Sequence, residues 1–172
     1  MVSRKDLLVA PLCEAALLFL AALIGWSTHR LFIFASLGPT AYELVETPER
    51  TTARPYNIIV GHLIAIGAGY FALFMTNAWA APAISIGFAT PSRIAASVIA
   101  AAITVFFTLL VGASQPAAVA TTLIIALGLF QRPQDALIII SAVIVVLIPG
   151  EAIRRWRLKD LAKRRQQAFW RA

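Results

Sequence analysis

Two short polar stretches interrupt apolar sequence, and they carry the side chains best placed to hold a small solute. The first is Ser36-Leu37-Gly38-Pro39-Thr40 and the second is Ser114-Gln115-Pro116. In each, a proline stands close to the start of a short apolar segment. A helix that begins there leaves its first backbone N–H groups unpaired, with the positive end of the helix dipole beside them. Such an end holds an anion or polar solute without any charged side chain. Ser36, Gly38 and Thr40 from one break, and Ser114 and Gln115 from the other, are therefore candidate solute ligands, with Asn57 and His62 nearby on the next span. The plainer alternative is a pair of kinks whose backbone is satisfied by neighbouring helices.

Three charged residues stand close to these breaks. Glu43 completes a capping box with Thr40, which would consume the same N–H groups. An ionisable group at membrane depth is also a candidate proton or cation site. Arg54 and Arg132 each precede a proline at the mouth of a span, where they attract anions or contact headgroups. His62 is either a pH-sensitive gate or relay or a partner for a backbone carbonyl across helices. Asn57 and Asp135 read first as helix caps. Gly61, Gly67 and Gly69 suggest close packing of their helix on a neighbour.

What positions these residues must be a membrane protein. Of 172 residues, 60% are hydrophobic and only 13% charged, well outside the range of a soluble domain of this size. Met1 to Asp6 is too short and too charged for a signal peptide on its own, and Leu7 to Trp26 reads as the first span. Further full spans are expected at Ile58 to Ala78, Ser92 to Gly112 and Asp135 to Ile148, the last ended by Pro149-Gly150. Thr90 and Pro91 start the third as cap and first helical residue. The segments 31–45 and 116–130 are short for a crossing. The pattern Ala35-Ser36 then Arg54-Pro55 returns as Ala113-Ser114 then Arg132-Pro133. The expected fold is thus all-α, with four transmembrane helices plus two re-entrant half-helices in two similar repeats, about 7–78 and 91–150. If the short segments cross instead, six spans result and the loops 46–54 and 131–134 move inside. Interrupted spans in paired positions are where transporters hold solute.

The net charge of +7 is uneven. Arg4, Lys5, Arg93 and the basic residues of 151–172 fall on one side of the four-span topology, and Arg30, Arg50, Arg54 and Arg132 on the other. The positive-inside rule accounts for this without nucleic acid and puts both termini in the cytoplasm; a bacterial inner membrane is the expected location. The basic tail, 151–172, with Trp156, Phe169 and Trp170, is expected on the inner surface against anionic lipid. Cys13 is a buried filler. No Gly-rich phosphate loop, Ser-His-acid set or metal pair is present, so no enzyme, metal or cofactor is expected.

Ser36-Leu37-Gly38-Pro39-Thr40-Ala41, then Ala53-Arg54-Pro55-Tyr56-Asn57 with Gly61-His62, then Ser114-Gln115-Pro116-Ala117-Ala118, resemble in order and spacing the HPP family of small integral membrane proteins. That family carries Ser-Phe-Gly-Ala-Ser-Ala, Pro-Arg-Asn, Gly-Gly-His and its namesake His-Pro-Pro. Here Gln115 stands in place of the histidine and Ala117 in place of the second proline. Arg54 precedes its proline, and Glu43 replaces an apolar residue. Some members are linked to nitrite transport. The resemblance implies a channel or secondary transporter for a small anion such as nitrite. A homo-oligomer is expected, since four spans enclose little lumen. The alternative is a non-transport assembly or sensory subunit whose breaks serve packing.

Overall fold

Apolar runs bounded by proline and capping residues set the long helices. In the computed structural model, which describes residues 6–169, they are α1 (Asp6–Thr28), α3 (Pro55–Met75), α4 (Pro91–Leu110) and α6 (Asp135–Phe169), with short α2 (Leu37–Val45) and α5 (Pro116–Ala126) between them. Four are long and apolar enough to cross a bilayer, and no strand occurs among the described residues. Expectations placed on Arg4, Lys5, Trp170, Arg171 and the side chain of Phe169 lie outside the described residues. Pro55, Pro91 and Pro116 each open a helix, where a missing N–H costs nothing. The Thr90 hydroxyl caps α4 by accepting from Arg93 N at 3.3 Å. His29 and Asn77 end α1 and α3 in the left-handed region, and Gly128 (φ +91°) turns the chain after α5.

Hydrogen bonds fix which ends meet. Asp6 pairs with Arg157 and Arg164, the Val45 carbonyl accepts from Arg157, the Pro48 carbonyl from Arg154, and Glu49 pairs with Arg165. The start of α1, the end of α2, the loop 46–54 and the outer part of α6 therefore share one end of the bundle, the clasp end. Tyr56 donates to the Val111 carbonyl and Asn57 to that of Ser114, so the turn 111–115 lies there too. At the far end, Ile84 N donates to Leu127 O, Arg93 reaches Ala81, Pro82 and Ala126, and Tyr70 donates to Arg132 O.

The chain thus runs between the two ends six times. Neither short segment returns to the end of the bundle it left. The expectation of re-entry rests on the short lengths of both segments and on their prolines with glycine or serine. The nine residues of α2 rise about 13 Å, and the irregular residues 29–36, which turn back beside Gly25 and turn again before Leu37, cover the rest of the way to the far end. Loop 46–54 moves to the side of the tail, as six spans require. Arg132 stays at the far end, contrary to the six-span expectation, because the return of α5 leaves α6 starting there. Arg93 also belongs to the far end. The order long, short, long occurs twice, the second time with every direction reversed.

Two further expectations change. Pro149-Gly150 does not stop α6, which continues to Phe169. A Cβ on Gly150 would meet Leu44 Cδ1 at 2.6 Å, so this glycine serves close approach to α2, and the arginines beyond it tie the helix to the clasp end. Those arginines are spent on Asp6, Glu46, Glu49 and loop carbonyls, and Arg157 is almost fully buried. Gly67 packs on nothing, whereas Gly61 and Gly69 face α5. A Cβ on Gly69 would lie 2.9 Å from Ile125 Cβ. Gly69→Val is expected to cost about 1–3 kcal/mol by overpacking, read as an apparent Tm lower by several degrees in detergent. Gly67→Ala should leave Tm in place, and an unchanged Tm for Gly69→Val would refute the contact.

Candidate functional site

Along α2, positions 36, 40 and 43 recur at i, i+4 and i+7 and so share one face. Ser36 and Thr40 are fully buried and Glu43 is 7% exposed. The adjacent stripe, Leu37, Ala41 and Leu44, packs with Leu17, Val143 and Val146 in an apolar cluster. The polar stripe meets a second one. Thr121, in the middle of α5, donates to Ser36 Oγ at 2.7 Å, and Thr40 donates to the Ser36 carbonyl at 2.9 Å. Nearer the clasp end, Thr52 donates to Glu43 Oε1 at 2.9 Å. Next to Thr121, Thr122 shares a hydrogen bond with Thr104 of α4 at 2.7 Å. These groups form one polar seam inside an apolar bundle. On its far side Phe34 and Phe130 meet edge to face with centroids 5.5 Å apart.

His62 is fully buried on α3. One turn before it, Ile58 belongs to the same cluster as Leu37, Leu44 and Val143, and the adjacent Gly61 faces Gln115 and Ala118. His62 therefore stands on the part of α3 that packs against α5 and α6. Its Nδ1 lies 2.8 Å from the Ile58 carbonyl one turn back in its own helix, where the sequence reading expected a carbonyl of a neighbouring helix. Nε2 has no partner, and neither have Glu43 Oε2 or Thr47 Oγ1.

The breaks themselves are built differently from the expectation. Helix α2 starts at Leu37, so Pro39 is its third residue and Thr40 and Glu43 form no capping box. Thr40 N is already paired with Ser36 O. At the second break Gln115 caps α5: its Oε1 accepts from Ala117 N at 3.2 Å, and its Nε2 donates to Thr52 O at 3.3 Å. Asn57 caps nothing, since Arg54 holds that position; its amide donates to the Ser114 carbonyl at 3.0 Å and pins the break. Gln115 and Asn57 are thereby committed to backbone. The Ser114 side chain is exposed at the clasp end and Gly38 is half-buried. Arg54 and Arg132 are both exposed, at opposite ends of the bundle, and Asp135 caps by accepting from Arg132 N. None of the five cavities described borders Ser36, Gly38, Thr40, Ser114 or Gln115. The largest, about 460 Å³, lies at the clasp end between Pro55, Leu147 and Glu151.

Of the sequence candidates, the structure brings together Ser36, Thr40 and Glu43 on one face of α2, with His62 buried separately on α3. It adds Thr52 and Thr121, whose only signal is a hydroxyl within or beside apolar sequence. The seam can hold and pass hydrogen-bonding groups. Among the described residues no cluster of metal ligands occurs.

A family model described as HPP, transmembrane region, matches residues 1–155. No curated protein and no solved structure matches the chain.

Proposed function

The chain belongs to the HPP transmembrane family, and from that membership we propose that it passes a small polar solute through the bilayer, a nitrite-like anion first, along the seam between α2 and α5. The observation that carries this reading is the pair of unpaired polar atoms on the buried Glu43 and His62 side chains, with Thr47 Oγ1 unpaired in the loop after α2. Each buried group left without a partner costs about 1–3 kcal/mol. A transient guest offsets that cost; a purely structural seam would not retain it. The ligands of this reading are side chains on α2, α3 and α5, in place of the free main-chain amides first expected at the breaks. Of the described basic residues only Arg30, Arg93 and Arg132 lie at the far end, so the positive-inside rule turns the clasp end to the cytoplasm. With six passes the seam lies within one chain, and the argument for a homo-oligomer from a small lumen falls away.

The commitment of Gln115 and Asn57 to backbone favours a second reading, a packing or assembly role without flux. Uptake of nitrite, nitrate, formate and urea into proteoliposomes separates the two. Passage along the seam requires uptake above protein-free liposomes, and Ser36→Val is expected to reduce it at least tenfold, a loss of about 1.4 kcal/mol of stabilisation along the route. Uptake unaffected by both Ser36→Val and Thr121→Val would remove the seam from the route.

A further inference from the structure

The unpaired atoms have a chemical sign. The Ile58 carbonyl can only accept, so the His62 Nδ1 facing it at 2.8 Å bears the hydrogen. A neutral imidazole with its hydrogen on Nδ1 presents Nε2 as a lone pair, and that atom is buried without a partner. Glu43 Oε2 is likewise an acceptor while the carboxylate is ionised, since Thr52 already serves Oε1. The hydroxyls of Thr40 and Thr121 are committed to Ser36. The Ser36 and Thr47 hydroxyls each keep a hydrogen to donate, but at His62 Nε2 and Glu43 Oε2 a guest meets acceptors, and a small oxyanion is itself all acceptor. The two repel until a proton arrives.

We propose that His62 carries the proton that accompanies each anion, and that Glu43, nearer the clasp end, exchanges that proton with the water there. This rests on the anion reading above and names its coupling. A proton adds to the Nε2 lone pair, giving an imidazolium whose new N–H donates to the anion. The anion and the proton then leave together, restoring the neutral ring, so one anion and one proton cross with no net charge.

The surrounding charges do not supply that donor. Around Glu43, α1 brings Asp6 and Glu14, the segment 46–54 brings Glu46, Glu49, Arg50 and Arg54, and α6 brings Glu151, Arg154 and Arg157. Arg154 is engaged by Glu151 and the Pro48 carbonyl, and Arg157 by Asp6, Glu46 and the Val45 carbonyl. Arg50 and Arg54 are exposed on the loop. Around His62, α5 has no charged residue, α6 has none from 136 to 150, and the one charge of α4, Arg93, is held at the far end.

The test uses the full chain in proteoliposomes carrying an internal pH dye, with nitrate outside and protein-free liposomes as the blank. Nitrate is chosen because its acid does not cross lipid unaided. One-to-one coupling predicts that an inward gradient of one pH unit drives about tenfold accumulation, with internal acidification in step, because one unit is a tenfold ratio in free energy. His62→Gln should abolish the gradient-driven accumulation. Glu43→Gln should slow acidification while the final accumulation ratio stays near that of the wild type. Wild-type nitrate uptake that ignores the pH gradient would overturn the coupling and leave the anion reading standing. A His62→Gln protein, monodisperse by size exclusion, that still accumulates nitrate tenfold would overturn it as well. Uptake of urea with no uptake of nitrate or nitrite would overturn both.

Discussion

Arg93→Leu is expected to destabilise the fold more than any other single substitution at a described polar residue. The guanidinium is fully buried, yet no carboxylate faces it. Instead it donates to three carbonyls: Ala81 at 2.7 Å, Pro82 at 3.3 Å and Ala126 at 3.1 Å. Ala126 is the last residue of α5, so the cation sits at the negative end of that helix dipole. One side chain thus joins the loop after α3, the start of α4 and the end of α5. Leucine leaves three carbonyls without a donor, at about 1–3 kcal/mol each, for a total on the order of 3–9 kcal/mol. Arg93→Lys should recover only part, since a point charge cannot span a fork of three acceptors. Gly128→Ala provides an independent check: its Cβ would meet Arg93 Nη2 at 2.7 Å, and its φ of +91° suits glycine alone. Thermal unfolding in detergent, followed by tryptophan fluorescence, reads all three. An Arg93→Leu protein that melts with the wild type would show that water serves those carbonyls equally well.

Arg93 also shows where sequence reasoning reaches its limit. A charge count treats every arginine as a surface cation, so Arg93 was assigned to the cytoplasmic side. The structure folds it inward at the opposite end, where loop carbonyls about ten residues upstream become its partners. The four long helices were legible because an apolar run long enough to cross has few alternatives. The number of passes was not, since it depends on whether 29–36 is helical or irregular, and composition is alike in both cases. Ser36, Thr40, Glu43 and His62 stood out as polar residues in apolar surroundings. Their roles depend on partners far away in the chain: Thr121 lies 85 positions from Ser36, and Gln115 lies 63 from the Thr52 carbonyl it holds. Pro149-Gly150 misled for a related reason. A stop signal is local, and what carries α6 past it is contact with Leu44, Val45 and Asp6.

Cysteines placed at positions 54 and 132 should label from opposite faces of the membrane. In a Cys13→Ala background, Arg54→Cys and Lys159→Cys are expected to react with an impermeant maleimide from the same side, and Arg132→Cys only from the other. All three native side chains are exposed, so the outcome depends on topology and little on burial. The expectation follows from contacts at the two ends: Arg165 with Glu49 and Arg154 with the Pro48 carbonyl place loop 46–54 beside the tail, while Tyr70 holds the Arg132 carbonyl at the far end. Two re-entrant hairpins would put positions 54 and 132 together, on the face away from position 159. The difference bears directly on the route. If α2 and α5 each cross, they run antiparallel past one another, and the Ser36–Thr121 bond joins one strand of the route to the other near its middle. If they turn back, their polar faces address opposite compartments separately and no continuous seam exists. Shared labelling of positions 54 and 132 would therefore dismantle the seam as well as the topology.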